Sequence, residues 1–242
     1  MSIMEPKERI ILALDVSDYN EAVEMVSNFE EHIEIFKVGS ELFTSAGPKI
    51  IETIHSMGKK VFLDLKFHDI PNTVIKSSLA VAKQGVFMFN VHTMGGYEMM
   101  HATTQALSNF ALDNNSARPK LIGVTILTSI DQTALKDDLG IELRMSAQVK
   151  HLAIMAEKAG MDGVVASAEE AEMIRAHTGK GFLIVTPGIR PSWVVTDDQK
   201  RALTPKKALQ MGADYLVIGR AITSQPSPLE ALKRIESEIA DA

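Results

Sequence analysis

Short runs of Ile, Val, Leu and Phe alternate along this chain with longer amphipathic segments, and the alternation repeats eight times. The spacing predicts strands at Ile10–Leu14, Ile35–Val38, Lys60–Leu65, Phe87–Val91, Leu121–Ile126, Gly163–Val165, Leu183–Val185 and Tyr215–Ile218. Between and after them it predicts helices at Tyr19–Glu30, Pro48–Met57, Thr73–Gln84, Gly96–Asn109, Met145–Ala159, Ala168–Ala176, Pro205–Met211 and Pro228–Ile239. The strand runs lack strict apolar–polar alternation, as expected when both faces of a strand are covered. Gly58, Gly85, Gly160 and Gly212 each follow a helical segment and precede the next strand, where a C-terminal cap belongs. Eight βα units in this order predict an α/β fold, a closed (β/α)8 TIM barrel, with an open doubly wound sheet as the runner-up. The 242 residues suit one such barrel, residues 1–242 as a single domain, and no linker or shift in composition divides them. Ser129–Leu143 and Pro191–Thr204 are left as the two long loops.

A barrel of this kind carries its working groups at the C-terminal ends of the strands. Here the first run ends at Asp15, the second at Lys37, the third at Asp64-Leu65-Lys66 and the fourth at Asn90-Val91-His92. The fifth runs into Thr125 and then Thr128-Ser129, the seventh leads through Pro187-Gly188 to Arg190, and the eighth ends at Gly219-Arg220. A polar strand end near solvent is ordinary. Lys37, Asp64 and Lys66 are not, because they fall where the chain is otherwise apolar, and an ion removed from water needs a partner. Asp64 and Lys66 are two apart, so a regular strand points both to one side; Asp69 follows in the loop.

Asp15, Lys37, Asp64, Lys66 and Asp69 form a set of alternating sign. A lysine flanked by aspartates keeps its proton, which suits a general acid better than a Schiff-base nucleophile. The alternative is a structural ion-pair network. The same set opposes a metal site, since two ammonium groups among Asp15, Asp64, Asp69, His68 and His92 repel a divalent cation. Gly188-Ile189-Arg190 and Gly219-Arg220 fall after the seventh and eighth strands, where such barrels often hold a phosphate. Gly219 lets backbone approach the anion and Arg220 can pair with it bidentately.

Composition narrows the function further. A net charge of −6 argues against a general nucleic-acid or anionic-membrane binder, while leaving room for a small anionic substrate at a locally positive site. The chain has no cysteine, which excludes disulfides, thiolate metal sites and cysteine nucleophiles. Met1 to Arg9 is too polar for a secretory signal, and no apolar run reaches the ~20 residues of a membrane helix. A cytoplasmic protein is the expectation.

The segment Asp64-x-Lys66-x-x-Asp69-Ile70-Pro71-Asn72-Thr73 resembles the signature of the orotidine 5′-phosphate decarboxylase family in its bacterial form. Leu12-Ala13-Leu14-Asp15, Phe36-Lys37-Val38-Gly39, Asn90-Val91-His92, Val124 to Ser129, Thr186 to Arg190 and Val217 to Arg220 resemble the family's other blocks, in its order. The resemblance implies conversion of orotidine 5′-phosphate to UMP in pyrimidine biosynthesis, without cofactor or metal, by a homodimer with shared active sites. It implies that Lys66 protonates C6, that Asp64 lies by the departing carboxylate, and that Lys37 and Asp69 complete a charge tetrad, with Asp69 supplied by the neighbouring subunit. It further implies that Asp15 and Lys37 contact the ribose and that Thr73 reaches the partner's site. Thr128 falls at a pyrimidine contact, and Arg190, Gln199, Gly219 and Arg220 at phosphate contacts. Sugar-phosphate decarboxylases and hexulose-phosphate synthases share the DxKxxD element but use magnesium, with an acidic residue where Lys37 stands. A non-catalytic nucleotide-binding barrel is the alternative from a different class.

Overall fold

The computed structural model describes residues 5–194 and 203–240. Eight parallel strands close into a barrel in sequence order: β1 (Ile10–Ala13), β2 (Ile35–Gly39), β3 (Lys60–Phe67), β4 (Met88–His92), β5 (Lys120–Val124), β6 (Gly163–Val165), β7 (Leu183–Thr186) and β8 (Tyr215–Ile218). Pairing of Ile11 with Val217 and of Leu12 with Ile218 joins β1 to β8 and closes the ring. The closed ring excludes the open doubly wound sheet.

The main crossover helices are α1 (Tyr19–Phe29), α2 (Lys49–Ser56), α3 (Pro71–Lys83), α4 (Gly96–Asp113), α5 (Met145–Lys158), α6 (Ala168–His177), α7 (Pro205–Gln210) and α8 (Pro228–Ala240). Local chemistry marks their starts. The Asp18 side chain accepts the Glu21 N–H at 2.9 Å ahead of α1, and Ser167 with Glu170 forms a capping box at α6. Four short helices escape the hydrophobic periodicity: Pro6–Arg9, Ser40–Ala46, Gln132–Asp137 and Arg220–Thr223. Each is too brief to display a repeating apolar face. Gln132–Asp137 falls inside the stretch expected to be loop; Asp131 starts it by accepting the N–H groups of Thr133 and Ala134, both at 3.0 Å.

Two apolar layers hold the barrel. Ile10, Leu12, Phe36, Val61, Leu63 and Phe89 pack outward against the helices. Ile11, Ala13, Ile35, Phe62, Met88, Ile122, Val185, Tyr215 and Val217 fill the interior. This explains the continuous apolar runs: alternate residues serve different cores. Continuing the inward series by two residues takes Ala13 to Asp15, Ile35 to Lys37, Phe62 to Asp64, Met88 to Asn90 and Val217 to Gly219. The strand alternation that fills the core therefore delivers the polar groups to one rim.

At the opposite rim, half-buried carboxylates tie strand starts together. Asp162 accepts the Leu121 N–H at 2.7 Å, and Asp214 accepts the Ile184 N–H at 2.8 Å and an Arg175 guanidinium N–H at 2.6 Å.

Gly163 sits in β6 directly opposite Leu183 of β7. A Cβ there would collide with the Leu183 carbonyl oxygen and lie 2.6 Å from the Leu183 Cβ. Gly163→Ala should therefore cost about 2–3 kcal/mol and lower the melting temperature by roughly 5–10 °C, measured by calorimetry.

Candidate active site

A cavity of about 280 Å³ opens at the C-terminal end of the barrel. Its floor is the top of the interior core, with Ala13, Phe62 and Val217 at the base. Asp15, Lys37, Asp64 and Lys66 line one side, and Arg190, Gly219 and Arg220 line it as well; Thr128 belongs to the same lining.

Asp64 is the centre of the charged set. Its Oδ1 accepts from the Lys66 ammonium at 2.7 Å and from the Asn90 amide at 2.7 Å, while Oδ2 lies 3.6 Å from Lys37 Nζ. Lys37 reaches on to Asp15 Oδ1 at 3.1 Å. The side chain of Asp64 is only 14% exposed, against 52% for Asp15, so solvent screens the inner pairs far less than the outer one. Burial by itself would raise the Asp64 carboxyl. The Lys37 ammonium, then the Lys66 ammonium and the hydrogen bonds from Lys66 and Asn90, more than reverse this and hold it below the usual carboxylate range.

The expected regular alternation from Asp64 to Lys66 does not occur. From Leu63 to Phe67 β3 advances four positions while its partner β4 advances only two, from Phe89 to Val91. Lys66 takes φ 51°, a left-handed conformation that a non-glycine residue adopts at a cost of about 1–3 kcal/mol. The Asn90 side chain supports this bulge. Its Oδ1 accepts the Lys66 backbone N–H at 2.8 Å while its amide nitrogen holds Asp64. One fully buried amide thus sets both the lysine backbone and the carboxylate opposite it. Asn90 was absent from the expected site residues. The available signal was an inward-facing polar residue in the otherwise apolar run Met88-Phe89-Asn90-Val91.

Gly219 sits close against Asp15 and Ala13. A Cβ there would lie 2.9 Å from Asp15 Oδ2 and 3.3 Å from the Ala13 Cβ. His92 flanks Lys66 with its ring 5.5 Å from that of His68. Burial, then His68 and Lys66, push its pKa down, so it adds no further positive charge near neutral pH.

Asp69 and Thr73 do not join this set. Both are exposed, Asp69 in the β3–α3 connection and Thr73 in the first turn of α3, outside the cavity lining, and Asp69 Oδ1 accepts the neighbouring Ile70 N–H at 2.7 Å. Gln199 lies outside the described residues. Trp193 packs on the core with the Arg234 guanidinium 4.5 Å from its ring. Among the described residues, no group of three His, Asp or Glu side chains is placed to share a metal ion, and no helix is long and apolar enough to cross a membrane.

The sequence model of the orotidine 5′-phosphate decarboxylase / HUMPS family matches residues 8–235. This chain belongs to that family. It is 47% identical to the orotidine 5′-phosphate decarboxylase of Syntrophomonas wolfei over 98% of this chain and 100% of that protein. It is 48% identical to the one from Heliobacterium modesticaldum over 98% of each. Among solved structures, the orotidine 5′-phosphate decarboxylase of Lactobacillus acidophilus superposes with a TM-score of 0.83 at 36% identity, covering 96% of this chain and 99% of that one. Family membership thus rests on the whole barrel and not only on the DxKxxD element of β3.

Two outcomes follow from the Asn90–Asp64–Lys66 geometry. Asn90→Ala should lower stability by about 2–3 kcal/mol, seen in denaturant unfolding, because two hydrogen bonds are lost and a buried carboxylate loses a donor. Because the folded-state pKa of Asp64 is depressed, its stabilising contribution is present above the ordinary carboxylate range and disappears as pH falls through the lower folded value. The difference in unfolding free energy between the parent chain and Asp64→Asn should be constant near neutrality and shrink only below about pH 4.

Proposed function

We propose that this chain, with the barrel as its single domain, decarboxylates orotidine 5′-phosphate to UMP, using Lys66 as the proton donor. The observation that carries the reading is the Lys66 ammonium held on Asp64, 2.7 Å away, inside the cavity. Loss of carbon dioxide breaks the C6–carboxylate bond and leaves its electron pair on C6. No delocalising group takes up that pair, so the site must stabilise it electrostatically. A fixed ammonium aimed at the carbon does so without reorganising. It then transfers a proton to C6, forming the C–H bond of UMP, and regains one from solvent.

The other residues divide by position. Asp15 and Lys37 bind the ribose hydroxyls, and Thr128 meets the pyrimidine. Arg190, Gly219 and Arg220 receive the phosphate, joined by Gln199. Binding energy from the phosphate, remote from C6, helps organise the reacting centre. Lys37, seated between the carboxylates of Asp15 and Asp64, supplies the positive charge that a magnesium ion supplies in the metal-dependent branch. The reaction therefore proceeds without metal.

Asp69 and Thr73 serve the site of a second copy in a homodimer. Supporting this, the segment that bears them also exposes Ile70, which is 67% accessible, and the residues after β4 expose Met94 and Tyr97, at 42% and 44%. Apolar side chains in that number at one rim suit burial against a partner.

Loss of orotidine 5′-phosphate absorbance should proceed at an unchanged rate in excess chelator; abolition by chelator would transfer the chain to the metal-dependent branch. Mixing inactive Asp69→Ala and Lys66→Ala proteins should restore activity through hybrid dimers. Absence of restoration despite demonstrated subunit exchange would refute the shared site.

A further inference from the structure

The N-terminal end of the barrel, opposite the active cavity, carries a second depression of about 770 Å³. Lys60 and Lys120, the first residues of β3 and β5, line it together with Lys83 at the end of α3. Phe87, Phe110 and Arg118 complete its wall. The Nζ atoms of Lys60 and Lys120 lie 5.5 and 5.8 Å from the centre of the Phe87 ring, so two ammonium groups share one aromatic side chain. Among the described residues, none of Lys60, Lys83 and Lys120 forms an ion pair with a carboxylate.

Arg118 is only half satisfied. Its Nη2 donates to Asp162 Oδ1, and the other oxygen of that carboxylate is taken by the Leu121 N–H. Its Nη1 is buried with no hydrogen-bond partner among the described residues. A buried guanidinium nitrogen without an acceptor is uncommon and costly. Asp162 pairs with one of the four cations, which leaves three lysines without a carboxylate at ion-pair distance among the described residues. Cations gathered in a depression with apolar walls focus a positive potential.

We propose that this depression binds a small polyphosphate anion, either inorganic or carried by a nucleotide. Three ammonium groups without a direct ion pair match a polyvalent anion better than a single phosphate. Their grouping at two strand starts and one helix end, instead of along a stripe, suits a compact ligand. The site is remote from the decarboxylation chemistry and does not depend on it.

The test is calorimetric titration of the full chain at low ionic strength with tripolyphosphate and, separately, with magnesium-free ATP. Excess UMP is present to fill the active cavity. Saturable binding of one ligand per chain is expected, weakened at least about tenfold by the double variant Lys60→Gln/Lys120→Gln and by raising salt to about 0.15 M. UMP formation by that variant should be unchanged. Lys83→Gln, at an exposed helix end, should weaken binding about threefold and decides the matter if the double variant melts early. Binding of tripolyphosphate identifies the inorganic source; binding of ATP alone identifies the nucleotide. Failure of both ligands to bind, or binding by the variants as tight as by the parent chain, overturns the proposal.

Discussion

The Asp64 carboxylate is the interaction on which the site depends. It is largely buried, yet two ammonium groups and one amide make its ionised form the stable one. Removing any of these donors leaves a buried charge short of partners, which is costly. The same bonds fix the direction of the Lys66 ammonium. The arrangement resists collapse because each donor is itself held: Lys37 and Asn90 by inward strand positions and Lys66 by its own backbone bond to Asn90.

That backbone bond explains why β3 is irregular beside the charged cluster. A regular strand would place Asp64 and Lys66 side by side on the pleat, about 7 Å apart along the strand, too far for a direct bond between short side chains although lysine can bridge it. The bulge and the left-handed Lys66 shift the lysine relative to β4 and bring its backbone to Asn90. Strain is thereby concentrated at one residue and offset by a buried hydrogen bond. Such strain at a lysine proposed as the proton donor accords with a group that must be held in one place instead of optimised for packing.

The barrel was legible because eight βα units leave few alternatives, and because short apolar runs and capping glycines are local signals. The rim residues Asp15, Lys37, Asp64, Lys66, Arg190, Gly219 and Arg220 were legible because they stand at strand ends or follow the last two strands, and Thr128 because it follows the fifth strand in a block that resembles the family's; all line the cavity. Asn90 was not singled out, since its task depends on a contact between strands that are 24 residues apart. The bulge was invisible for a similar reason: register is a property of two strands, and a lysine gives no warning of a positive φ. The short helices Ser40–Ala46 and Gln132–Asp137 lack the length that makes periodicity readable. Asp69 and Thr73 point to a different limit, because a single chain leaves them exposed and their proposed task belongs to a second copy.

The central claim is that Lys66, positioned by Asp64 and Asn90, protonates C6. The most direct measurement is single-turnover conversion of orotidine 5′-phosphate by Lys66→Ala, with binding of UMP to the variant checked in parallel. A rate at least about a thousandfold below that of the parent chain, with UMP still bound, is the predicted result. Formation of UMP by Lys66→Ala at the parent rate would contradict it.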